Sequence, residues 1–106
     1  MKQYTTPEQT AKLIELGLFP KRIQSVSDEG KMLLELMGFS IGELIEMLPN
    51  KIYVDGNTYS KVIDETVVCY YSWELEIYAV SICDVHEELI DNLYEMVVKL
   101  KEEKII

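Results

Sequence analysis

A chain of 106 residues with an apolar fraction of 48% and a charged fraction of 27% has the composition of one globular domain, which argues against general disorder. No apolar run approaches the roughly 18 residues of a membrane helix. Nineteen acidic against ten basic side chains, a formal charge of −9, argue against direct binding to nucleic-acid phosphates.

The N-terminal MKQYTTPEQT has no apolar core of a secretory signal, so the expected compartment is the cytoplasm. The first predicted helix covers 7–16. Thr6 is its N-cap, Pro7 takes the first helical position, Gln9 completes a Thr-x-x-Gln capping box, and Gly17 followed by Leu18 fits a Schellman end. Residues 25–30 read as a turn or loop. The apolar-rich 31–37 then favours helix by propensity, although a short run between two glycines also suits a buried strand.

Ser40 and Glu43 form a second capping box, with Phe39 and Leu44 placed as a hydrophobic staple, so a short helix is expected over 41–48. From Lys51 the period becomes alternating. Asp55-Gly56-Asn57 marks a hairpin, because Gly56 and Asn57 tolerate positive φ, and a second turn is expected at Asp64-Glu65. Two longer strands follow over 66–71 and 74–82. In the last, Leu75, Ile77 and Ala79 are expected to face the core, with Glu74, Glu76 and Tyr78 on the opposite face.

The closing segment, 84–103, predicts the longest helix. Asp84 and Glu87 fit a third capping box, and Lys99, Lys101 and Lys104 gather where the helix dipole is negative. Val85, Leu89, Leu93, Met96, Val97 and Leu100 draw one apolar stripe. A helix with one apolar stripe and a sheet with one apolar side bury each other. The expected fold is therefore a single α+β domain over 1–106, a four-stranded antiparallel sheet packed by the C-terminal helix, with two short N-terminal helices.

Three blocks, YTTPEQTAKLIELG at 4–17, SIGELIEMLP at 40–49 and ELIDNLYEMVVKLKEE at 88–103, resemble a family of short uncharacterised proteins carried by gut anaerobes and their phages or mobile elements. Lys104 stands where a glycine is more usual in that family. The resemblance implies no activity, cofactor or catalytic residue. It implies a context in which small proteins act by binding host or phage proteins.

Residue chemistry points the same way. His86 is the single histidine, which excludes a multi-histidine metal site, and its expected place in the first turn of the last helix is that of a surface residue. Cys69 and Cys83 read as small buried apolar residues, and no nucleophile motif, phosphate loop or calcium loop occurs. Pairs such as Glu87 with Asp91 stand at helical spacing but fit a solvated face. No catalytic, cofactor or metal residue is assigned, and no cofactor is expected.

Charge distribution is the strongest functional signal. No lysine or arginine occurs between Val62 and Val98, a span holding nine carboxylates, while acids and bases cancel in the rest of the chain. Glu74, Glu76, Glu87, Glu88, Asp91 and Glu95 are the candidate acidic surface, and Trp73 is the candidate aromatic contact. The first reading is a non-enzymatic module meeting an unknown, basic protein, with neither nucleic acid nor membrane as partner and the oligomeric state open, a homodimer included. The alternatives are a DNA-mimicking inhibitor, a small-molecule or enzymatic domain with an unrecognised site, and acidity that serves only solubility.

Overall fold

A computed structural model describes residues 3–20, 28–82 and 86–106. Its order is α1 (Pro7–Glu15), α2 (Asp28–Met37), α3 (Ile41–Met47), β1 (Lys51–Val54), β2 (Asn57–Asp64), β3 (Val67–Ser72), β4 (Ile77–Ile82) and α4 (Leu89–Glu102). The strands form one antiparallel meander in the order β1-β2-β3-β4, so the expected α+β class and strand count hold.

Local chemistry sets the first helix ends. Thr6 and Gln9 close a reciprocal capping box on α1, and Ser40 and Glu43 close another on α3. At the end of α1, Gly17 has φ +79°, its N–H donates to Ile14 O and the Leu18 N–H donates to Leu13 O, the two bonds of a Schellman motif. Residues 28–30, expected in a loop, are the first turn of α2; 25–27 lie outside the described residues.

Thr5 ties the N-terminal segment to the junction between α2 and α3. Its N–H donates to Phe39 O at 2.9 Å, and its hydroxyl accepts from the Phe39 N–H at 2.9 Å and meets the Thr10 hydroxyl at 2.7 Å. Thr10 in turn donates to Thr6 O at 2.8 Å. This chain of bonds satisfies polar groups that burial removes from water.

The turns differ from the sequence reading in detail. Between β1 and β2 the two left-handed residues are Asp55 (φ +51°) and Gly56 (φ +80°), with Asn57 already paired to Val54. Positive φ at both central positions is the geometry whose twist matches that of paired strands. The next turn is Glu65-Thr66, one residue later than expected, with Glu65 at φ +51°.

One face of the sheet packs against α4. Ile52, Tyr59, Val68, Tyr70 and Val80 join Ile90, Leu93, Met96, Val97 and Leu100 in a continuous core with Leu13, Leu34, Phe39, Leu44 and Leu48. Burial of each such large side chain is worth roughly 1.5–3 kcal/mol. Ile90, outside the predicted stripe, is also fully buried, and Val85 of that stripe lies outside the described residues.

α4 begins at Leu89, four residues later than a helix capped by Asp84 would. Glu88 is its N-cap, extended at φ −103° and ψ 132° and without a side-chain capping bond, so the Asp84–Glu87 capping box is not what starts the helix. Asp84 itself lies outside the described residues. The buried Asn92 side chain holds the entrance instead, donating to Thr66 O at 2.7 Å and to His86 O at 3.2 Å.

Two further polar side chains lock the sheet to α3. The Lys61 ammonium donates to Ile45 O at 3.1 Å and Leu48 O at 3.0 Å, placing positive charge at the negative end of the helix dipole, while desolvation lowers its pKa. Tyr70 O–H donates to Pro49 O at 2.6 Å, and burial raises the phenol's pKa. The folded chain therefore keeps the proton longer than the unfolded one, and the stability it confers below about pH 10 is lost as pH rises through the folded pKa. Tyr70→Phe should cost about 1 kcal/mol at neutral pH and reduce that alkaline loss. Denaturant titrations at pH 7 and pH 11 would check this; an unchanged alkaline slope would contradict it.

Candidate functional site

The last hairpin departs most from simple alternation. Residues 73–76 form a turn, fixed by Glu76 N–H donating to Ser72 O at 2.7 Å and Leu75 N–H donating to Ser72 Oγ at 3.1 Å, with Glu76 at φ +56°. Tyr70 pairs with Val80 whereas Tyr71 pairs with Tyr78, leaving Ala79 as an extra residue in a bulge. The expected inward set is thereby overturned: Leu75 lies in the turn, Ile77 and Ala79 are exposed, and Val80 is the residue that reaches the core. An inserted residue shifts every side chain before it relative to those after it.

The consequence is an aromatic surface on the sheet face away from α4. Tyr71 and Tyr78 lie across the strand pair with ring centroids 4.8 Å apart, and Trp73 meets Tyr71 edge-on at 4.7 Å. Trp73 is 72% exposed and Tyr78 60%; Leu75, in the turn, is half exposed, as is Ile77, which the register with Ser72 puts on the opposite sheet face. Tyr53, on the same sheet face by register, is 73% exposed. Trp73, the candidate aromatic contact, is among the most exposed large side chains described.

The six candidate carboxylates come from two parts of the fold. Glu74 and Glu76 rim the aromatic surface in the turn before β4, whereas Glu87, Glu88, Asp91 and Glu95 follow its other end. The six-residue β4 lies between the two groups in the chain. Asp91 accepts from Gln9 Nε2 at 2.8 Å, joining α4 to α1, and Glu95 Oε1 lies 3.1 Å from His86 Nε2. His86 therefore precedes the helix rather than sitting in its first turn.

Beside β4 lies a groove of about 660 Å³ between Ser81 and the outer side of α4, where Tyr94, Glu95, Val98, Glu102 and Glu103 face it together with Lys99. Partial burial and the nearby Glu102 and Glu95 charges raise the Tyr94 pKa, a sign of negative field in the groove. The sequence reading passed over Glu102 and Glu103 because Lys99, Lys101 and Lys104 made that helix end look basic. Helical spacing holds the signal: Glu95 and Glu102 stand seven residues apart, two turns along one face.

Cys69 is buried on β3, as a small apolar residue would be; Cys83 lies outside the described residues. Among the described residues no group of three or more His, Cys, Asp or Glu side chains gathers to hold a metal ion, and no helix is long and apolar enough to cross a membrane. Comparison with known proteins finds no family model, curated protein or solved structure that matches the chain.

Proposed function

We propose that the protein is a non-enzymatic interaction module, acting in the cytoplasm, that binds a basic protein through the open face of its sheet. The observation that carries this reading is the exposed pair Trp73 and Tyr78, both packed on Tyr71, with Glu74 and Glu76 in the adjoining turn. Apolar and aromatic side chains surrounded by charge make the anatomy of a protein contact, with Trp and Tyr the residue types that most often carry its binding energy. The carboxylates, together with a net charge of −9, favour and steer a positively charged partner. A mobile-element origin, which the three sequence blocks imply, suits a protein that acts by binding. The carboxylates are divided between the turn before β4 and the segment running into α4 rather than following one element, so the DNA-mimic reading has less support.

The test is affinity capture from cell lysate with the wild-type chain and with the double variant Trp73→Ala, Tyr78→Ala. Retention of a partner should fall at least about tenfold in the variant and fall again in high salt, with thermal stability nearly unchanged because both side chains are exposed. Retention indifferent to both changes would remove this reading.

A further inference from the structure

The acidic groove and the aromatic face both reach β4, the groove at Ser81 and the aromatic face at Tyr78. β4 ends the sheet, so one side of its backbone has no neighbouring strand among the described residues. An edge of this kind presents amide and carbonyl groups that can pair with another extended chain. On one side of that edge stands Tyr78 with Tyr71; on the other stands the groove under α4, with Glu95, Glu102 and Glu103 against the single Lys99.

We propose that this edge takes up an extended basic peptide segment of a partner protein as a fifth strand. Side chains of an added strand alternate between the two sheet faces. One set would meet the tyrosine face and favour apolar residues; the other would turn into the groove and favour lysine or arginine. Dimensions agree, since the groove wall from Glu95 to Glu103 rises about 12 Å along α4, the length of roughly four strand residues and hence of two inward-turned basic side chains. The charge pattern selects the occupant: three carboxylates to one ammonium disfavour an acidic strand and disfavour self-pairing of two β4 edges, which would bring like charges together.

The inference rests on the interaction-module reading and names its partner's chemistry. It is tested with the full chain, isotope-labelled for NMR, and an eight-residue capped peptide alternating lysine and valine. Saturable binding is expected, with shifts concentrated in Ile77–Ile82 and residues 94–103. N-methylation of one alternate set of peptide amides should abolish binding while methylation of the other set leaves it, because only one set faces the edge. The exposed pair Glu102→Lys, Glu103→Lys should weaken binding more than tenfold without lowering the melting temperature, and a glutamate-valine peptide should not bind. Absence of saturable binding, shifts confined to the Trp73 turn, or equal binding of both methylated peptides would overturn strand addition. Should the captured partner still depend on Trp73 in that event, the module reading stands without the inference; a partner indifferent to Trp73 removes both.

Discussion

Replacing Gly38 with alanine should lower stability by about 3 kcal/mol or more, among the largest effects of any single methyl group in this protein. Gly38 has φ +75°, and a Cβ built there would lie 2.7 Å from Thr5 O and 3.1 Å from Thr5 Oγ1. The left-handed backbone alone costs a side chain roughly 1 kcal/mol. The close approach adds more, because the obstructing atom is backbone and belongs to the residue that exchanges two hydrogen bonds with Phe39. Moving Thr5 away would break both and expose the fully buried Phe39. Gly17→Ala is the matched control: its φ of +79° is the same, but nothing lies within 4 Å of the added methyl. Denaturant unfolding of the two variants should place Gly38→Ala at least about 2 kcal/mol below Gly17→Ala, roughly 8 °C or more in melting temperature. Equal losses would mean that Thr5 does not pack where the structure puts it.

Elements specified by neighbouring residues were legible in the sequence, and those specified from a distance were not. The capping boxes at Thr6 and Ser40 and the Schellman glycine each depend on a few adjacent residues and form as read, and the β1–β2 turn forms one residue earlier than read. The start of α4 was misread because Asp84 and Glu87 had the right spacing, while the group that holds the entrance is Asn92, bonded to Thr66 on a turn 26 residues earlier. No local pattern announces that contact.

The candidate site was half legible for the same reason. Trp73, Glu74 and Glu76 were identifiable by type, yet their surface exists because a bulge near Tyr70 and Tyr71 turns Tyr78 outward beside Tyr71 and lets Val80 inward. Strict alternation cannot foresee an inserted residue. The acidic run also looked continuous in sequence, but a strand separates its two parts, and the wall of the groove is completed by Glu102 and Glu103 from beyond that run.

Asn92→Asp should destabilise the protein by about 3–5 kcal/mol at neutral pH although it changes one side-chain nitrogen to oxygen. Asn92 is fully buried; its Nδ2 donates to the carbonyls of Thr66 and His86, and its Oδ1 has no partner among the described residues. An aspartate there would set a carboxylate against two carbonyl oxygens, losing both donated bonds and gaining repulsion. Burial and those oxygens would raise its folded pKa above the unfolded value of about 3.9. The sign follows: the protonated acid can still donate one bond, so the variant is least impaired below that unfolded value and loses stability as pH rises through the folded pKa. Asn92→Ala separates the lost bonds from the buried charge, since it removes the donors at every pH and should cost about 2–3 kcal/mol with little added pH dependence. Urea unfolding of the three proteins between pH 4 and pH 8 makes the comparison. An Asn92→Asp protein as stable at pH 8 as at pH 4 would show that its carboxylate reaches water, and that α4 does not enter the fold over Thr66 as described.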